Sequence, residues 1–397
     1  MSRLKSKRAL GQVVSVLIMI VIIIVTYLLF VRGSLVDTPK NYTVLEQEKE
    51  LIQLDILSAT YVGINNKQLI KVTENGIVAY DFDGEELWSD TLTLDNYIVR
   101  QREPYIAIAN KMGNTITIFS DKGKQGEVVC QNPIAYFSIN KNGSVAVIEN
   151  LGDSHIVSAY DEKGNSLGVQ RVSHVKAKNT GYPAAAEVSP NNELLLTSYI
   201  DVDNPVLTSN LLAIQIQKPK EEKIDNSLYG IEQKDNFIYE IEFIKDNEWV
   251  SIGDKWMTWY TMSGQEIARQ ENVLAYFSPY IVKASSYGDG FLPIISAKDL
   301  NKSTIHKQNE LSYFNAKGEM FFNLKLDEPV TYFYANDKGV VLGQRNFFMG
   351  YNKMGIKLFE FNTSLDVSKV FYLPDRKAGI AVTKDKVILL KPKKERK

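Results

Sequence analysis

A short hairpin pattern recurs along this chain and limits what it can fold into more than any other feature. Six segments carry it: YDFDGEELW around Gly84, FSDKGKQGE around Gly123, YDEKGNSLG around Gly164, YTMSGQEIA around Gly264, FNAKGEMFF around Gly318 and YNKMGIKLF around Gly355. Four residues before each glycine stands an aromatic residue: Tyr80, Phe119, Tyr160, Tyr260, Phe314 or Tyr351. The next position holds a short polar residue: Asp81, Ser120, Asp161, Thr261, Asn315 or Asn352. Three positions after the glycine comes an apolar residue (Leu87, Leu167, Ile267, Phe321, Leu358), except where Gly126 takes the place.

Each position has a physical reason. Glycine enters the left-handed region of a tight turn without steric cost. The short polar side chain can accept hydrogen bonds from backbone N–H groups of the turn after it. The aromatic residue and the apolar residue after the glycine are expected to anchor the two strands in a core. The unit is therefore a β-hairpin.

The spacing of the hairpins gives the architecture. Glycine to glycine, the steps are 39, 41, 100, 54 and 37 residues. The long step holds a further hairpin without glycine, LLAIQIQKPKEEKIDN (Leu211 to Asn226), with its turn at Lys218-Pro219-Lys220. A second class of hairpin lies between the first ones, at 138–150, 189–200, 244–254 and 334–346. Two hairpins per period of about 40–50 residues make four strands, which is one propeller blade. The last unit, Val370 to Pro392, offers three strands, and its fourth is expected from ELIQLDIL at 50–57. Such pairing of first and last segments removes open sheet edges. The fold expected is all-β, a β-propeller of four-stranded blades, eight in number with seven as the alternative.

Ala79-Tyr80-Asp81, Gly84 and Leu87-Trp88 resemble the repeat of the quinoprotein-dehydrogenase-like propellers, and Ala159-Tyr160-Asp161, Gly164 and Leu167 form a second copy. The resemblance implies a β-propeller, usually eight-bladed, in a family that holds both pyrroloquinoline quinone enzymes and cofactor-free scaffolds. The enzymes stack the quinone under adjacent cysteines and repeat a docking tryptophan in most blades. Here Cys130 is the single cysteine, and only Trp88 occupies the docking position; Gly168, Ala268, Phe322 and Phe359 fill it elsewhere. Cofactor-binding residues are therefore not assigned, and a quinone-dependent oxidoreductase is the alternative to a binding or scaffolding protein. A membrane anchor followed by such repeats is also similar to membrane-anchored propeller proteins of clostridia.

The anchor is read from the N-terminus. Residues 1–12 contain Arg3, Lys5, Lys7 and Arg8, and Val13 to Val31 run for nineteen residues without a charge. At about 1.5 Å per residue the run spans roughly 29 Å, the thickness of a bilayer's hydrocarbon core. The run is too long for the apolar region of a signal peptide, and no A-x-A-like site comes after it. The basic flank places 1–12 in the cytoplasm, 13–31 in the membrane, a linker at 32–43 and the propeller, 44–397, outside. A single cysteine in an extracytoplasmic domain points to a bacterial cell envelope.

Composition closes off several functions. Across 397 residues the net charge is −1, which gives no basis for nucleic-acid binding. His155, His174 and His306 fall in different units with no metal-ligand spacing, and the phosphate-loop and serine-nucleophile motifs are absent. DVDN at 201–204 lacks the glycine and distal glutamate of a calcium loop. No catalytic residue and no metal ligand is assigned. The insertions near 200–232 and 284–309 are candidate contact loops. The partners expected are the membrane, through one span, and a protein or cell-wall polymer.

Overall fold

The computed structural model describes residues 42–174, 181–203, 205–216, 226–271, 274–275, 291–297 and 309–394. The chain divides into two units, 1–43 and 44–397, and nearly all the described residues belong to the second. The expected segments 1–12 and 13–31 lie outside the described residues. So do most of the linker, most of the insertion at 284–309, and the turn at 218–220 within the insertion at 200–232. Among the described residues no helix is long and apolar enough to cross a membrane.

Apart from a single 3-10 turn at Pro374–Arg376, the regular elements among the described residues are all β-strands. Six four-stranded antiparallel sheets succeed one another, each a meander of consecutive strands. The first runs Tyr61–Asn65, Gln68–Thr73, Gly76–Tyr80 and Glu86–Thr91; the second runs Tyr97–Arg102, Tyr105–Asn110, Thr115–Ser120 and Gly123–Val129. The next four begin at Ile134, Tyr182, Ile238 and Leu274. An eight-stranded sheet holds the four strands from Tyr332 to Asn362, the three from Val367 to Pro392, and Thr43–Gln53 between them. The arrangement is propeller-like.

Strand position within a sheet reflects which strands are apolar on both faces. In the first and second sheets the middle strands are almost wholly buried, whereas the last strands are largely exposed. Ile70, Val72, Ile77 and Ala79 of the first sheet pack on Ile106, Ile108 and Phe119 of the second. On its other side the first sheet packs Val62, Ile64 and Leu69 against Phe371, Ile380 and Val387 near the chain's C-terminal end. The succession of sheets thus returns to its start. Face-to-face packing of this kind, at about 25 cal/mol per Å² of apolar surface removed from water, is the dominant favourable term in such a fold.

Closure is also made by hydrogen bonds. Thr43–Gln53 pairs with Lys386–Pro392, with Leu45 opposite Pro392 and Gln53 opposite Lys386. The closing strand therefore lies earlier than the expected 50–57. After Gln53 the chain leaves the sheet: Asp55 accepts a hydrogen bond from the Leu57 N–H, and Leu57 is 95% exposed. A side chain that accepts from the backbone two residues on favours a turn over a ladder.

The repeated hairpins are built on the short polar residue. Asp81 Oδ1 accepts from the N–H groups of Asp83 at 2.8 Å and Glu85 at 2.9 Å. Asp161, Asn315 and Asn352 each accept the same two backbone bonds. The six turn glycines have φ between +75° at Gly318 and +96° at Gly84. Gly123 differs in its turn, where Ser120 pairs directly with Gly123 across two residues.

One expectation is corrected. Leu167 and Leu358 pack against the core as expected, but Leu87, Ile267 and Phe321 are 49%, 37% and 49% exposed, and Phe321 reaches the core only at the edge, its ring 5.9 Å from that of Tyr313. A register shift comes at the aromatic position in these hairpins, between Ala79 and Tyr80, Trp259 and Tyr260, and Tyr313 and Phe314. In these three hairpins the extra residue turns the side chain three after the glycine outward and brings the next one inward, whereas the same shift between Gly350 and Tyr351 leaves Leu358 half-buried against the core. Hence Trp88, Ala268 and Phe322 pack on the core.

Candidate functional site

Where successive first strands meet they enclose a cavity of about 320 Å³. Its lining comes from Tyr61–Asn65, Tyr97–Arg102, Ile134–Ile139, Tyr182–Val188, Ile238–Lys245, Tyr332–Asn336 and Val367–Leu373. Because a strand alternates faces, residues two apart point the same way. Arg100 and Arg102, Tyr136 and Ser138, Glu240 and Glu242, and Tyr332 and Tyr334 all line the space.

The polar groups are held by specific bonds. The Arg102 guanidinium donates to Glu242 Oε1, and the two form an ion pair whose carboxylate side chain is only 3% exposed. Lys369 donates to the Val62 carbonyl at 2.9 Å, with its ammonium 4.3 Å from the centre of the Tyr61 ring. Tyr61 in turn donates to Gln101 Oε1 at 3.0 Å. Tyr334 donates to Glu103 Oε1 at 3.1 Å. The Arg100 guanidinium lies 5.8 Å from the centre of the Tyr136 ring. The Tyr332 hydroxyl is buried and has no hydrogen-bond partner among the described residues.

Crowding carboxyl groups into this space changes their acidity. Burial, then the neighbouring Glu242, pushes Glu187 up to about 8, with Arg102 pulling back. Burial and Glu242 also hold Glu240 well above the usual carboxylate range. Glu103 is pushed up to about 7, chiefly by burial, against the pull of the Tyr334 hydroxyl. The phenol of Tyr61 is raised to about 12 by burial and by Glu103.

A second cavity of about 40 Å³ shares Arg102, Glu187 and Glu242 with the first and adds Asn140, Lys141, Pro190 and Lys245. The ion pair thus belongs to both linings. Among the described residues no group of three or more metal-ligating side chains is placed to hold an ion.

The residues singled out in the sequence stand elsewhere. Tyr80, Phe119, Tyr160, Tyr260, Phe314 and Tyr351 lie in the third strand of their sheets, and Gly84, Gly123, Gly164, Gly264, Gly318 and Gly355 at or next to the turns after them. Neither set lines the cavity. Trp88 is taken up in packing: its indole N–H donates to Gln68 Oε1 at 3.2 Å, and its ring stacks on Phe119 at 6.0 Å. Cys130 is buried among the apolar residues of the second and third sheets, and its thiol is pushed up to about 12 by burial. His155 sits in a strand, and the ring of His174 bonds to Ser154 Oγ at 2.6 Å; His306 lies outside the described residues. The cavity's own signal was in the sequence: charged or tyrosine pairs two apart in YIVRQR, IYEIEF and TYFYAN. Recognising them required knowing that these were the innermost strands.

A family model described as a family of unknown function, DUF5711, matches residues 38–391. No curated protein matches this sequence. Among solved structures, the chain is similar to Sqt1 of Saccharomyces cerevisiae, with 11% identity and a TM-score of 0.56, over 88% of this chain and 100% of that one. It is also similar to BamB from Moraxella catarrhalis, at 13% identity and a TM-score of 0.47, over 89% and 99% of the two chains. The likeness to Sqt1 shows the fold, a β-propeller, and nothing further.

Proposed function

We infer that this chain, which belongs to the family of unknown function DUF5711, is a non-catalytic binding propeller whose working surface is the cavity between its innermost strands. The observation that carries the reading is the cavity itself, where four carboxyl groups, three cationic side chains and five tyrosines meet, all on strands except Glu103 in the turn after Arg102. Pockets of roughly 300–1,000 Å³ with a few convergent polar groups are the usual ligand sites of folded proteins.

The finer reading is of eight blades. The eight-stranded sheet divides into two blades of four whose outer strands, Lys357–Asn362 and Thr43–Gln53, lie side by side. The proposed setting is the outer face of a bacterial membrane, with 1–12 cytoplasmic, 13–31 spanning, 32–43 a linker and 44–397 outside. The uncharged run from Val13 to Val31 and its basic flank support it. The hairpin repeat supports a kinship with quinoprotein-type propellers at the level of architecture.

Two measurements test this. Pyrroloquinoline quinone titrated into the purified full chain should neither bind tightly nor support dye-linked oxidation of alcohols or sugars; turnover would replace this reading with the oxidoreductase one. Protease added to intact protoplasts should digest residues 44–397, and full protection would reverse the orientation.

A further inference from the structure

With the chain anchored as proposed, two features of the surface tell which end of its sheets meets the lipid. In an antiparallel meander the turns between first and second strands and between third and fourth strands share one end, and the other connections share the opposite end. The chain enters at the first of these ends. Thr43–Gln53 is the fourth strand beside the third strand Lys386–Pro392, and the Val44 carbonyl accepts from the Lys393 N–H at 2.8 Å. The start of the propeller and the end of its last strand thus stand together where other sheets have their repeated turn.

Next to this entry the surface is apolar. Met354 and Ile356, on either side of Gly355, are 75% and 58% exposed. The strand after them, Lys357–Asn362, lies beside Thr43–Gln53. Gly355 itself lies against the ring of Phe322, so the turn continues into Met320 and Phe321, which are 53% and 49% exposed.

Charge is an independent observation. In the eight-stranded sheet the entry end comprises the turns 337–338, 353–356 and 374–377 and the described end of the chain, 393–394. These hold six basic residues against Asp337 and Asp375. Even with Lys338 paired to Asp375 and Arg376 to Asp83, Lys377, Lys393 and Lys394 are exposed. The opposite end comprises 54–60, 327–331, 345–346, 363–366 and 384–385, with two basic residues against five acidic ones. Ile56 and Leu57 are exposed there too, so charge is what tells the two ends apart.

We propose that the entry end of the propeller lies on the anionic lipid surface of the membrane that anchors it, a reading that rests on the anchored setting. Met320, Phe321, Met354 and Ile356 reach into the headgroup layer, and the lysines meet its phosphates. Exposed apolar side chains beside basic ones suit a lipid interface, where the first dip below the headgroups and the second are drawn to them. A soluble acidic polymer would engage the lysines and leave the apolar side chains in water. The twelve residues 32–43 extend over at most about 40 Å, which keeps this end within reach of the bilayer.

The test uses the purified full chain reconstituted in vesicles of equal parts phosphatidylcholine and phosphatidylglycerol. A fluorophore on Ile356→Cys should be quenched by nitroxide-labelled lipid, and the same fluorophore on Leu57→Cys should not. Both positions are exposed, and the unsubstituted chain, whose Cys130 is buried, gives the labelling background. Lys393→Gln should move the balance between quenched and free label about fivefold toward the free form, the scale of one lysine at an anionic surface. Equal quenching at the two positions, quenching at position 57 alone, or none at position 356 overturns the inference. So does soluble polyphosphate shifting the label at 356 as strongly as the vesicles do, which would give this end to a polyanion. Flotation with the vesicles in concentrated salt tests the anchored setting separately. If the chain floats while the label at 356 stays unquenched, only this inference falls; if it does not float, the anchored setting falls with it.

Discussion

Arg102 and Glu242 are 140 residues apart in sequence and are joined by an ion pair between the first strands of two different sheets. Removing one member of a buried pair strands the other charge, which costs about 3–5 kcal/mol. Arg102→Met is therefore expected to lower the unfolding free energy measured by urea denaturation by that scale, and Glu242→Leu on top of it to restore much of the loss. Equal, additive losses from the two substitutions would show that the pair is not coupled.

The raised acidity constants of Glu103 and Glu187 make stability depend on pH. Both carboxyl groups bind protons more tightly folded than unfolded, so their contribution is complete below the ordinary carboxylate value of 4.5. It is lost as pH rises through about 7 and about 8. The melting temperature should fall by a few degrees between pH 5.5 and pH 8.5, on the order of a few kcal/mol. Glu187→Gln should flatten the upper part of that slope. A melting temperature that rises over this range would contradict the assignment.

Gly164 and Gly123 test the hairpins from two sides. Both have positive φ, +85° and +94°, where an L-residue is strained by roughly 1–2 kcal/mol. A Cβ at Gly164 would also lie 1.8 Å from the Glu127 carbonyl oxygen, whereas at Gly123 nothing lies within 4 Å. Gly123→Ala should cost only the strain. Gly164→Ala should cost clearly more, above about 3 kcal/mol, because the backbone of the neighbouring sheet must move. Denaturant curves of both variants measure the difference.

Trp88 is predicted to be structural. Trp88→Phe removes its hydrogen bond to Gln68 and keeps a ring against Phe119, so a loss of about 1 kcal/mol is expected. A loss of about 3 kcal/mol or more in a denaturant curve would show that the indole does more than make this bond and fill this contact.

The hairpins were legible in the sequence because glycine, a short polar residue and an aromatic residue are each demanded by local backbone geometry. Strand order was legible too, since meanders place consecutive strands side by side. The exposed Leu87, Ile267 and Phe321 were not, because a bulge depends on how two strands pair and leaves no composition signal. The cavity was hidden for a related reason. Arg102 and Glu242, or Tyr334 and Glu103, are neighbours only once the sheets are arranged about it. In sequence, Arg102, Glu242 and Tyr334 are ordinary polar residues on strands, and Glu103 is an ordinary polar residue of a turn.

A working surface at the cavity must meet its partner in cells. Photo-cross-linking residues placed at the exposed cavity-lining Arg100 and, as a control, at Ser89 in the outermost strand of the first sheet would test this in the organism that makes the protein. A discrete adduct from position 100, absent from position 89, is the predicted result. The same adducts from both positions, or none from position 100, would contradict it.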